Sequence, residues 1–170
     1  TIGAARVVPA AQLAPSAVLV ASVSGHVYAA RADGGLGHFS VDAQGHLQAG
    51  ASLDAAAAPY LADPVALQTV QIGGREYLMV LSGSESGVAV FEINAKSGAL
   101  TPRGALGAQE GLGIQNVPVA LKTAEIDGFT YIVVASKDGA AQGAALSVIK
   151  LAADGSLTPI DQVFDTQETR

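Results

Sequence analysis

Short apolar runs broken by turn residues occupy most of the chain. In its middle third the runs cover 65–72, 77–82, 87–94 and 99–106. Gly73-Gly74, the Ser/Gly-rich stretch 82–87 and Lys96-Ser97-Gly98 separate them, and each favours a turn or a positive φ. Tyr77-Leu78-Met79-Val80-Leu81 and its later counterpart Tyr131-Ile132-Val133-Val134-Ala135 are apolar without alternation, which suits strands covered on both faces. The run 87–94 alternates more, as expected nearer a rim. Asp54 followed by four alanines has the propensity and the cap for one helical turn, and Pro59 and Pro64 keep it from extending.

The runs belong to an internal repeat. Pro64-Val65-Ala66-Leu67-Gln68-Thr69 returns as Pro118-Val119-Ala120-Leu121-Lys122-Thr123, at an offset of 54, and Gly74 and Tyr77 return as Gly128 and Tyr131. Val90-Phe91-Glu92-Ile93 then matches Val148-Ile149-Lys150-Leu151 at an offset of 58. Gly98-Ala99-Leu100-Thr101-Pro102 matches Gly155-Ser156-Leu157-Thr158-Pro159 at 57. The drift places an insertion in the loop 136–144. A weaker upstream copy carries Pro15, Gly25 and Tyr28, 49 residues before Pro64, Gly74 and Tyr77, with Gly45-His46-Leu47 at the place of Gly98-Ala99-Leu100. Three units of about four strands each predict an all-β chain of antiparallel β-propeller blades, at about 12–54, 64–107 and 117–165. Tyr77, Leu78, Val80, Val90 and Phe91, with Tyr131, Ile132, Val134, Val148 and Ile149, are the predicted core.

Tyr77-Leu78-Met79-Val80, then Val90-Phe91-Glu92-Ile93, then Gly98-Ala99-Leu100-Thr101 resemble the blade repeat of lactonase-like propellers. The entries Gly74–Tyr77 and Gly128–Tyr131 are similar to the propeller regions of secreted bacterial proteins that carry hemolysin-type (RTX-like) calcium-binding repeats. The resemblance covers about 12–165 and implies a propeller, a secreted bacterial location and Ca2+ as a possible ligand. Three units are about half of that family's closed ring. The one glycine-rich stretch, Gly34-Gly35-Leu36-Gly37-His38-Phe39, has Phe39 where a calcium-ligating Asp would stand, so neither calcium binding nor lactonase activity carries over by motif.

Composition narrows the partners. The 170 residues are 49% hydrophobic and 14% charged, which supports a buried core and argues against disorder. A net charge of −6 with no basic run makes nucleic acid a poor partner. Absent cysteine excludes disulfides, thiol chemistry and cysteine-zinc sites. No apolar stretch approaches the length of a membrane span. The chain lacks an initiator Met and a signal-like start, and reads as a processed or partial product.

Candidate chemistry is sparse. His26, His38 and His46 have no metal-ligand spacing and read as solvated or satisfied surface histidines. Asp42, Asp127 and Asp154 sit beside turn residues and are explained by turn chemistry. Gly83-Ser84-Glu85-Ser86-Gly87 is not a nucleophile elbow, and Gly111-Leu112-Gly113 is not a phosphate loop. Loops after the second strand of a blade and loops leading to the next blade emerge on one face. That face gathers Tyr60, Asp63, Glu85, Glu110, Asn116 and Asp138 as candidate ligand-binding residues, against the plainer reading that they are loop residues of an acidic surface.

The chain thus supports two expectations of function. The first is a non-catalytic propeller module for binding or assembly, secreted or on the bacterial surface. The second is a lactonase- or hydrolase-like enzyme holding a divalent cation at the ring mouth. Assembly is expected from geometry, because a row of three blades leaves its two outer faces bare. Either two copies close a six-bladed ring, or further blades of a longer chain complete it, and Ala5-Arg6-Val7-Val8 could supply an outer strand.

Overall fold

The computed structural model describes residues 20–31, 34–107, 110, 112, 117–137 and 145–164. The segment Ala5-Arg6-Val7-Val8 and the loop 138–144 lie outside them. The described chain forms three antiparallel sheets of four strands, each in simple sequential order. The first holds β1 (Val20–Val23), β2 (His26–Ala30), β3 (Leu36–Val41) and β4 (Leu47–Ala49). The second holds β5 (Pro64–Ile72), β6 (Arg75–Ser82), β7 (Gly87–Ile93) and β8 (Leu100–Gly107). The third holds β9 (Val117–Ile126), β10 (Phe129–Lys137), β11 (Ala145–Leu151) and β12 (Leu157–Phe164). A short 3-10 turn, Ala55–Ala57, is the helical turn expected after Asp54, but the Asp54 side chain makes no cap bond and accepts from Arg31 Nη1 at 3.0 Å instead.

The sheets are propeller blades stacked face to face, with their first strands gathered at the inner edge. β1 adjoins β5 and β5 adjoins β9, and Gln68 Nε2 donates to Thr123 Oγ1 across the second pair at 2.9 Å. Two-residue turns join the first and second strands: Ser24-Gly25, Gly73-Gly74 and Asp127-Gly128 all have positive φ, which the tight hairpin requires. Tyr77↔Glu92 and Tyr131↔Lys150 are equivalent cross-strand pairs of the second and third blades.

Alternation along β6 sorts the core into two layers. Leu78 and Val80, with Ala89 and Phe91 of β7, face the first blade and meet Tyr28, Leu36 and Leu61. Tyr77, Met79 and Leu81, with Val88 and Val90, face the third blade and meet Leu121, Ile132, Val134 and Ile149. Covered on both sides, β6 is buried from Tyr77 to Ser82, as its unbroken apolar run requires. β7 is buried almost throughout instead of alternating toward a rim, because blades flank it on both faces as well.

The third blade departs from the expected core. Ile132, Val134 and Ile149 are buried, but Tyr131 and Val148 are only half-buried because they lie on the outer face. Ile126, Phe129, Leu146 and Val163 share that face by register, and each is about half exposed, from 48% to 60%. The first blade does not match it: Ala29 and Phe39, which point away from the second blade, are buried at 2% and 3%. The expectation of two bare outer faces therefore holds for the third blade and is corrected for the first.

Candidate functional site

Chain direction alternates within a blade, so the connection 50–63 and the β6–β7 turn meet at one end of the second blade. Tyr60 and Asp63 hold left-handed backbone, φ 60° and 48°, a conformation bulky residues adopt only when their surroundings impose it. Here the surroundings are specific. The Tyr60 ring is buried over Gly87 and Gly107, where an added Cβ would come within 2.2 and 2.4 Å of it. Its hydroxyl donates to Glu110 Oε2 at 2.5 Å, and the same oxygen accepts from the Gly107 N–H at 2.9 Å.

Glu85 is engaged in the same way. Its Oε2 accepts the Ala62 N–H at 2.9 Å, while Ser82 Oγ receives the Glu85 N–H at 3.1 Å and donates to the Ala62 carbonyl at 2.5 Å. The Asp63 carbonyl takes the Gly83 N–H at 2.9 Å. Thus four of the predicted residues come together: Tyr60 with Glu110 directly, and Asp63 with Glu85 through the connection between them. Asn116 and Asp138 lie outside the described residues. Charge-assisted bonds from carboxylate to backbone are among the stronger kinds in proteins, and here they fasten the inter-blade connection to the blade end.

A second polar constellation is not legible from sequence spacing. His26 and His38 are not surface residues; they are exposed only 6% and 7%, between the first blade and the β7–β8 turn of the second. The β2–β3 register pairs Tyr28 with His38 and His26 with Ser40, so both imidazoles fall on one face. The Ala95 carbonyl can only accept, so His26 Nε2 carries a proton toward it (3.2 Å) and leaves Nδ1 as acceptor for His38 Nε2–H at 3.1 Å. Tyr28 stacks on His38 with ring centroids 5.2 Å apart, and burial followed by the neighbouring His26 holds the His38 pKa below its usual value. Gly98, φ 69°, makes this approach possible: a Cβ there would lie 2.2 Å from His38 Nε2. Hairpin register is the missing signal. His46 does stay exposed, in a turn organised by Asp42.

The turn aspartates behave as expected. Asp42 Oδ1 accepts the N–H groups of Gln44 and His46 at 3.0 and 2.8 Å, which holds its carboxyl below the usual range. Asp154 is held low by the Ser156 hydroxyl and N–H, and Asp127 occupies a left-handed hairpin position, φ 51°.

A cavity of about 250 Å³ opens between the connection and β8, lined by Ala58, Pro59, Phe91, Pro102, Arg103 and Ala105. Its wall is apolar, and the Arg103 guanidinium at its edge is paired with Glu92 at 2.6 Å. Among the described residues, no group of three or more His, Cys, Asp and Glu side chains is placed to hold a metal ion. Among them, too, no helix is long and apolar enough to cross a membrane.

No protein-family profile matches the sequence, and no curated protein does. Solved structures do match in fold. Sqt1 of Saccharomyces cerevisiae aligns with a TM-score of 0.63 at 14% identity, over 90% of this chain and 36% of its own. An endo-arabinase of Bacteroides thetaiotaomicron aligns at 0.57 and 13% identity, over 91% and 56%. An alpha-L-arabinofuranosidase of Clostridium thermocellum aligns at 0.54 and 12% identity, over 90% and 52%. These neighbours are β-propeller proteins, and the likeness establishes the fold. The chain spans between about a third and just over half of their lengths, so its ring is incomplete. The finer resemblance to hemolysin-type calcium-binding proteins draws no support from them.

Proposed function

We propose that the chain is a non-catalytic binding or assembly module: a run of three propeller blades that works by taking further blades onto the outer face of the third. One observation carries this reading. Tyr131, Val133 and Ala135, with Leu146 and Val148, repeat the positions of Tyr77, Met79 and Leu81, with Val88 and Val90. The second set is buried under a neighbouring blade, while the first is half-covered and bordered by exposed Phe129 and Val163. A contiguous apolar sheet face of that kind marks an interaction surface.

The loop-face carboxylates support the same reading. Glu85 and Glu110, the acids a cation or substrate would need, hold the inter-blade connection to the blade end. We place the module outside the bacterial cell on the strength of the repeat resemblance, and fractionation of the native host would show it in the cell envelope or medium.

Sedimentation of the purified chain tests the proposal. A species heavier than 16.9 kDa is expected at micromolar concentration, with Leu146→Glu returning it to the monomer. A wild-type chain that stays monomeric across that range overturns it.

A further inference from the structure

The outer face of the third blade carries a charge pattern that its own chain does not satisfy. Register sets Lys122, Val133, Val148 and Asp161 side by side across the four strands. Leu121, Ile132 and Ile149 lie in the core toward the second blade, and Gln162 Nε2 bonds the buried Ser147, so this row points outward. Lys122 and Asp161 are exposed at its two ends, three strand spacings or about 14 Å apart. Neither forms an ion pair among the described residues. The neighbouring row is lopsided in size: Ala120 and Ala135 fill its inner half, Leu146 and Val163 its outer half.

This face does not copy the one used inside the chain. On the second blade Gly104 holds the place of Asp161, and a Cβ there would come within 2.5 Å of the Gly155 carbonyl in the β11–β12 turn. A side chain at 161 therefore bars the approach by which the second blade takes the third. The ion pairs of Glu92 with Arg103 and Arg75, at 2.6 and 3.5 Å, are replaced as well. Lys150, Ile160 and Phe129 stand at those positions, with Lys150 Nζ 3.7 Å from the Phe129 ring centroid. The first blade is closed to the role of partner, since Ala29 and Phe39 on its far side are already buried. Self-association is left with third blade on third blade.

Resting on the assembly reading above, we infer that the third blade's outer face pairs with the same face of a second copy, about a two-fold axis running along the strands between β10 and β11. That axis sets Lys122 on the partner's Asp161 and Val133 on the partner's Val148. It sets the small Ala120 and Ala135 on the partner's Val163 and the partner's Leu146, and Tyr131 on the partner's Lys150. Sheets packed face to face keep their strand directions near alignment, as this axis does. A two-fold axis across the strands through this row would instead put Lys122 on Lys122 and Asp161 on Asp161. An isologous contact closes on itself, so assembly stops at two copies, in a row of six blades with a first blade at each end.

Sedimentation equilibrium of the intact chain tests this axis by exchanging charges. The wild type should form a dimer of about twice 16.9 kDa. Lys122→Asp and Asp161→Lys each set like charges opposite one another at both symmetric contacts, and each should weaken the dimer by about tenfold. The loss should shrink as salt rises. Both changes in one chain should bring the dimer constant back to near the wild-type value. Mixing the two single variants should give a heterodimer tighter than either variant forms alone, a recovery that requires both to be folded. A wild-type dimer that ignores the single changes, or that neither exchange recovers, overturns this pairing while leaving assembly standing. A wild-type monomer overturns the assembly reading itself.

Discussion

The Tyr77 hydroxyl of the second blade donates to the Ala153 carbonyl of the third, 2.8 Å away, over a span of 76 residues. One blade earlier the matching tyrosine, Tyr28, donates to the Gly98 carbonyl, at a different position of the corresponding turn. The propeller repeat therefore fixes a polar contact between neighbours as well as a pattern of apolar positions. Tyr77→Phe should cost about 1–2 kcal/mol, because the Ala153 acceptor loses its donor. Urea unfolding would show this as a lower midpoint at an unchanged slope.

Equivalent positions in successive blades should differ in cost according to what covers them. Val80 is fully buried between the first and second blades, and its replacement by Ala should cost on the order of 1–3 kcal/mol. Val133 lies half-buried on the outer face of the third blade, so Val133→Ala should cost clearly less in the monomer. Thermal unfolding of both variants under dilute conditions checks the ordering.

The Tyr60–Glu110 bond should behave as a coupled pair. Tyr60→Phe and Glu110→Gln are each expected to lower stability, and the double variant by less than their sum. A coupling of about 1–2 kcal/mol is expected for a bond to a charged oxygen. A double-mutant cycle in urea measures it directly.

Burial explains how far the sequence can be read. Repeat spacing and turn residues locate the strands of all three blades, because each blade repeats the same alternation of apolar run and glycine turn. The meeting of Tyr60, Asp63, Glu85 and Glu110 is expected from strand direction alone. The His26–His38 pair is not, because its contact depends on a hairpin register and on Gly98 arriving from the next blade. Tyr131 and Val148 match buried counterparts in residue type and so pass for core; sequence alone does not say which blade has a neighbour.

Titration should mark the first inter-blade joint from both sides. Burial, with Glu76 nearby, pushes the Tyr28 phenol from its usual 10.0 up to about 12. The folded state then keeps a proton that the unfolded state has lost, so this contribution is present below pH 10 and is lost as pH rises toward 12. His38 has the opposite sense: its lowered pKa means stability is present above about 6.5 and falls on acidification. Stability measured against pH should decline at both ends. Tyr28→Phe should remove the alkaline slope and His38→Gln should reduce the acid one.

The central claim is that the outer face of the third blade is an interface, and the absence of cysteine gives a direct way to test it. A single cysteine at Leu146, on that face, is compared with one at Ser84, exposed in the β6–β7 turn. At assembling concentrations the account predicts that the thiol at position 146 reacts with a maleimide much more slowly than the one at 84, and that dilution removes the difference. Equal reaction rates at every concentration would contradict it.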